Sequence, residues 1–121
     1  MAIADPLVIV LAVAGSKSLN RINQDNYGSE FLLRETLVEY RAKVRHSQVK
    51  ADANGVVYDR HNFEVVITTF ATSTVPEFHE KFYFVQENVR GQTNVDLPDA
   101  VADLMIASTD AFLVKLNTWQ I

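Results

Sequence analysis

Arg41, Lys43 and Arg45 alternate with Ala42 and Val44 in the stretch Tyr40-Arg41-Ala42-Lys43-Val44-Arg45-His46-Ser47. In an extended backbone every second side chain shares a face, so the three cations project together over about 14 Å. That spacing can follow a phosphate backbone. Arg60, Asn62, Ser47 and Thr68 would lie on the same face and add hydrogen-bonding groups for phosphate or bases. Tyr83 joins them if its neighbours Phe82 and Phe84 point to the core, and an aromatic ring there could stack a splayed base. The plainer alternative is a solvated outer face on which Glu64 and Glu39 neutralise part of the charge.

Other chemistry has less support. His46 and His61 would share the opposite face, diagonally apart, and two imidazoles do not make a zinc site without further ligands. No metal site is expected, and no cofactor. The chain has no cysteine, so disulfides and thiolate metal sites are excluded. Asp25, Asp52 and Asp96 are loop acids that could ligate calcium at subunit contacts, but a lone acid is usually just solvated. There is no Walker loop, GxGxxG, GxSxG or HExxH. Nothing asks for an enzyme.

The stripe needs a strand pair to position it. Tyr40 to Lys50 alternates, Ala51-Asp52-Ala53-Asn54-Gly55 follows, and Asn-Gly is a strong hairpin signal. Val56 to Phe70 then reads as a long β-prone return strand. A two-residue turn at Asn54-Gly55 predicts that His46 faces Phe63, Val44 faces Val65 and Ala42 faces Ile67. On the reverse face Arg45 meets Glu64, Lys43 meets Val66 and Ser47 meets Asn62. A slip of one residue would mix the apolar and polar sets. Further strands are expected at Glu30–Arg34 and, after the Ala71–Pro76 loop, at Phe78–Val89.

The N-terminal run Leu7–Ala14 is wholly apolar and ends in Ala12-Val13-Ala14, like a signal-peptidase site. Met1–Pro6 carries an acid and no Lys or Arg, so a strand turning at Ala14-Gly15-Ser16-Lys17 is expected rather than a secretion signal. Being apolar on both faces, it implies cover on both, or a partner chain. The period changes at Asp96-Leu97-Pro98-Asp99, which reads as a helix start with Asp96 as N-cap. Val101, Leu104, Met105 and Ser108 line one helical face, and Ser108-Thr109-Asp110 could cap a second helix. Strands first and helices last give an α+β layout.

The whole chain of 121 residues fits one domain. It divides into a hairpin over 1–23, an antiparallel sheet over 29–90 and helices over 96–120. Hydrophobic residues are 48% and charged residues 21%, which excludes global disorder. No apolar run approaches the ~20 residues a bilayer span needs, so no membrane partner is expected. The net charge of -4 argues against a polyanion partner taken alone, yet six of the eleven Lys and Arg residues fall between Arg34 and Arg60. Local potential matters more than the total.

The stretches "RINQD", "YRAKVRHSQ" and "YDRHNFE", followed by "TVPEF", resemble the coat proteins of single-stranded RNA bacteriophages, the leviviruses, and among them the Caulobacter phage branch. The likeness is nearly collinear from about Ile22 to Phe84. It implies an N-terminal β-hairpin, a five-stranded antiparallel sheet and two C-terminal α-helices. It also implies an interlocked homodimer whose sheets join edge to edge and whose helices cover the partner's sheet. Dimers would assemble into an icosahedral virion capsid in the bacterial host cytoplasm. The inner sheet face would package single-stranded genomic RNA and bind one RNA hairpin as translational repressor. Carried over by position, that face comprises Arg41, Lys43, Arg45, Ser47, Arg60, Asn62, Glu64 and Tyr83. An alternative from another class is a small-ligand-binding or enzymatic α+β domain with a pocket between sheet and helices. It would draw on His46, Asp59 and His61.

Overall fold

The computed structural model describes residues 2–121. Two compact units divide the chain, the first running through Arg90 and the second spanning Gly91–Ile121. The first is a meander of six antiparallel strands: β1 (Leu7–Leu11), β2 (Gly15–Gln24), β3 (Gly28–Arg34), β4 (Val38–Gln48), β5 (Tyr58–Thr69) and β6 (Phe78–Val89). β2 pairs with β1 through its first half and with β3 through its second. The N-terminal hairpin is therefore continuous with the sheet. Four strands, β3 to β6, fill the range expected to hold five, and the two hairpin strands extend them into one six-stranded sheet.

Period-two alternation sets the core. Leu19, Phe31, Tyr40, Ala42 and Val44 are buried, with Leu7, Ile9, Leu11, Leu33, Val38, Phe63, Val65 and Ile67 packed around them. Leu7, Ile9 and Leu11 carry this packing onto β1. Lys17 of β2 runs its stem along this face, with its Nζ 5.4 Å from the Tyr40 ring centre and 3.1 Å from Glu35. The other side of β1 stays open, with Val8 50% and Val10 76% exposed. The core face is also open toward β6: Phe82 and Phe84 share it yet remain 52% and 50% exposed.

Between β2 and β3, Asp25 Oδ1 accepts the Tyr27 N–H at 2.7 Å, and Asp25 N–H donates to the Gly28 carbonyl at 2.9 Å. A Cβ on Gly28 would collide with the Val44 carbonyl oxygen of β4. That carbonyl is backbone and cannot swing aside. Gly28→Ala should therefore destabilise the fold by about 2 kcal/mol, read as a lower urea midpoint at unchanged m-value. A variant within ~0.5 kcal/mol of wild type would contradict the close approach.

Between β4 and β5 the expected turn is corrected. Gly55, at φ 78°, donates its N–H to the Asp52 carbonyl at 3.0 Å. Asp52 Oδ1 accepts from Asn54 and Val56 N–H at 2.9 and 3.0 Å. The Asp52 side chain thus organises a three-residue loop, with glycine at its left-handed end, in place of a two-residue turn. The ladder that follows pairs Val44 with Phe63, Ala42 with Val65 and Lys43 with Glu64. The register is displaced by two residues from the expected one. An even displacement preserves parity, so every side chain keeps its face.

In the second unit, α1 spans Asp96–Asn117 but is broken at Ala107–Asp110, where Ser108, Thr109 and Asp110 take φ of 53°, 57° and 63°. The span therefore comprises the two expected helices, which meet at the Ser-Thr-Asp sequence. The start is also corrected. Val95 occupies the N-cap position, and the capping oxygen comes from Asn94, whose Oδ1 accepts the Asp96 N–H at 2.7 Å. Asp96 and Asp99 lie in the first turn, beside the positive end of the helix dipole. No residue of α1 is buried.

Candidate nucleic-acid interface

The ladders of β4, β5 and β6 bring all eight sequence-selected residues onto one face of the sheet. Arg41 pairs across to Val66 and on to Lys81. Lys43 pairs with Glu64 and on to Tyr83, Arg45 with Asn62 and Val85, and Ser47 with Arg60 and Glu87. Four alternate rungs therefore hold the set. Lys43, Arg45, Asn62, Glu64 and Tyr83 line a concavity of about 170 Å³. Tyr83 is 63% exposed, with Lys81 Nζ 5.7 Å from its ring centre.

The charge is less open than the sequence suggests. Arg41 pairs with Glu30 of β3 and lies 3.7 Å from Glu39. Arg34 donates from Nε to Glu39 at 3.0 Å. Arg60 and Glu87 are 3.0 Å apart, Lys81 and Glu64 2.8 Å, Arg45 and Asp25 3.9 Å. Among the described residues, Lys43 alone of the cations on this face has no carboxylate within 4.0 Å. The face is a mosaic of ion pairs around one free ammonium. Glu64 neutralises Lys81, not the stripe, and Glu30 takes the part that sequence reasoning gave to Glu64.

These pairs shift titrations. The hydrogen bond that Arg41 donates to Glu30 raises the Arg41 pKa against the opposing effect of burial. The hydrogen bond that Lys81 donates to Glu64 raises the Lys81 pKa. The hydrogen bond from Arg34, helped by Arg41, lowers that of Glu39. A carboxylate held below its unfolded value stabilises the fold at higher pH and loses that contribution as pH falls through the folded value. Glu39→Gln should accordingly be less stable than wild type at pH 7. The gap should close as pH drops through and below the ordinary carboxylate range, measured by urea melts across pH. A gap that stays constant with pH would exclude the Arg34–Glu39–Arg41 cluster as its source.

Lys81, Arg34, Glu30 and Glu87 belong to this face but were not selected from sequence. Lys81 and Glu87 share the parity of Tyr83, so that signal was present. Glu30 and Arg34 needed the β3–β4 register, which no turn signal fixes. The acids considered for calcium have local work: Asp25 and Asp52 order their turns, and Asp96 sits in the first helical turn. Across the sheet, His46 and His61 are direct register partners, not diagonal ones. Asp59 is held by Arg90 at 3.2 Å. The three groups named for a ligand pocket are thus engaged with one another or with Arg90.

Comparison with known proteins adds one finding. Residues 4–89 match the family described as phage phiCb5, coat protein. The match takes in all six strands and every residue of the mosaic face. No curated protein matches the chain.

Proposed function

We propose, from the premise that this chain belongs to the phage phiCb5 coat protein family, that it is the capsid subunit of a single-stranded RNA phage whose mosaic sheet face meets the packaged genome. The observation that carries this reading is that the matched segment contains the whole of β4, β5 and β6, with Arg41, Lys43, Arg45, Ser47, Arg60, Asn62, Glu64 and Tyr83 on one side. Cations and Ser47 contact phosphates, Tyr83 stacks an unpaired base, and Asn62 and Glu64 read base edges. The same face binds one RNA hairpin and so represses translation.

Interlocked dimers are the building unit. β6 is a twelve-residue edge strand, and an unpaired edge of that length invites a second strand. Phe78, Phe82 and Phe84 are half-exposed on the core side of that edge. Leu97, Val101, Leu104, Leu116 and Trp119 are exposed on α1 and just beyond it. A twin would pair the edge and lay its helices on the open aromatic surface, burying apolar area from both. Sixfold meander topology with a free edge supports this reading over a monomeric pocket protein.

The deciding experiment is negative-stain microscopy of the chain expressed alone in bacteria, with absorbance spectra of the purified material. Closed particles containing RNA are expected. Monomers or small oligomers without RNA would overturn the proposal, and empty particles would remove its RNA half.

A further inference from the structure

The open edge of β6 carries enough chemistry to fix how a second copy would meet it. Arg90 donates its N–H to the Val57 carbonyl at 3.1 Å, one rung beyond the Tyr58–Val89 pair. Hydrogen-bonded and non-hydrogen-bonded rungs alternate along an antiparallel ladder. Even-numbered residues of β6 therefore turn their N–H and C=O groups inward to β5. The β4 side agrees. Val49 and Phe70 donate to the carbonyls of Tyr58 and Leu37 at 2.9 and 2.8 Å, so even-numbered β5 residues bond β4 and odd-numbered ones are left for β6. Odd-numbered β6 residues, from His79 to Val89, hold their backbone groups toward the open edge. The same residues carry the mosaic face.

A two-fold axis normal to the sheet returns each face to itself. Odd-numbered residues of one copy then stand opposite odd-numbered residues of the other. That parity is also the one that brings free N–H groups to free carbonyls. Paired residue numbers therefore sum to an even value, so one residue of β6 sits on the axis and faces its own copy. Centring on Phe84 pairs His79 through Val89, centring on Tyr83 pairs Phe78 through Asn88, and any other choice shortens the ladder. Both bring the half-exposed Phe82 and Phe84 of the two copies together, opposite or diagonal, within aromatic reach. Charge separates the two registers. With Tyr83 at the centre, Lys81 faces Val85 and Glu87 faces His79. With Phe84 at the centre, Lys81 faces Glu87 in both copies, and Tyr83 faces Val85.

Given the edge-paired dimer proposed above, on which this step rests, we propose that Phe84 lies on its two-fold axis, with Lys81 of each copy against Glu87 of the other. Within one chain Glu87 is 3.0 Å from Arg60, and Lys81 is 2.8 Å from Glu64. The contact joins these pairs into a run of alternating sign, Arg60–Glu87–Lys81–Glu64, that crosses the interface twice. Opposite charges on directly opposed strand positions favour this register over the other. Tyr83 of one copy comes diagonally to Tyr83 of the other, about 7–8 Å apart at Cα. The mosaic face is thus continued by the partner, its two stacking rings meet at the seam, and the surroundings of each ring are complete only in the dimer.

The chain has no cysteine, so engineered thiols report the register without background. The test is Lys81→Cys/Glu87→Cys, oxidised with diamide and read by non-reducing electrophoresis, with size-exclusion chromatography of the unoxidised protein alongside. Directly opposed strand residues lie about 5.5 Å apart at Cα, inside the disulfide range. Within one chain the two positions are about 20 Å apart and cannot join. Covalent dimer at least about tenfold above either single variant is expected. Lys81→Cys/Val85→Cys, which reports the Tyr83-centred register, should stay at the single-variant level. Covalent dimer from that second pair alone, or from neither pair in protein that elutes as a dimer or larger, would overturn the register and leave the dimer standing. Elution of the wild-type chain as a monomer would overturn both. Phe84→Cys decides the matter if the double variant fails to fold. On the axis it meets its own copy and should cross-link, whereas Tyr83→Cys, diagonal to its copy, lies beyond disulfide reach; the reverse result would sink the Phe84 centre.

Discussion

Replacing Arg41, Lys43 and Arg45 together with Ala should weaken RNA binding about a hundredfold at low salt and flatten its salt dependence by about two in log–log slope. Each cation that meets a phosphate releases condensed counterions, worth roughly 0.7 in slope for single-stranded nucleic acid. Three lost contacts therefore remove about two. The fold should survive. Lys43 and Arg45 are solvent-exposed, and the apolar residues that alternate with the three cations, Ala42 and Val44, are those that pack the core. Arg41 is the costly member, since its loss leaves Glu30 and Glu39 without their partner. Arg41→Gln keeps a hydrogen-bond donor there and separates charge from folding. The measurement is filter binding of single-stranded RNA across a salt series, with size-exclusion chromatography as control. Unchanged affinity and slope in a folded, dimeric variant would remove RNA from this face.

That face follows from strand parity. Alternation sets Arg41, Lys43, Arg45 and Ser47 on one side, the turn adds Arg60 and Asn62, and the core orientation of Phe82 and Phe84 adds Tyr83, because period two is a local property of extended backbone. The rungs between them were not legible. They depend on how the β4–β5 turn is built, and there the Asp52 carboxylate takes two backbone N–H groups that an Asn-Gly turn would have left in place. An error of two residues cost nothing in face assignment but moved His46 from Phe63 to His61. The helix boundary failed for a similar reason: Asn94 caps from outside, two residues ahead of the acid that looked like the cap. The ion pairs failed differently. Glu30–Arg41 and Arg60–Glu87 join residues 11 and 27 positions apart, and no window of sequence contains that information.

The mosaic makes a second expectation, opposite in sign. Replacing Glu30, Glu64 and Glu87 with Gln should raise RNA affinity by one to two orders of magnitude at low salt and steepen the slope by about two. Each acid holds a cation that then becomes available: Arg41, Lys81 and Arg60 respectively. In the native chain a phosphate must displace a carboxylate from each, so the attraction gained is largely attraction exchanged. Only Lys43 offers its charge without such exchange. Gln keeps the shape and one acceptor oxygen, so the strand pairing should tolerate the change. The Arg60–Glu87 and Lys81–Glu64 pairs are partly exposed, and their loss costs little; the part-buried Glu30–Arg41 pair is the costly one. Specificity should move the other way, since unmasked cations attract any phosphate while the base-directed groups Asn62 and Tyr83 are unaltered. Affinity for arbitrary RNA would then rise more than affinity for a preferred hairpin, and the ratio between them would fall. A face that never meets RNA would show neither change, and a face bound only through bases would show the slope unaltered. Under the proposed function, the native balance of acids and bases on this face lowers indiscriminate attraction to polyanions while leaving the ring of Tyr83 and the amide of Asn62 free to choose among them.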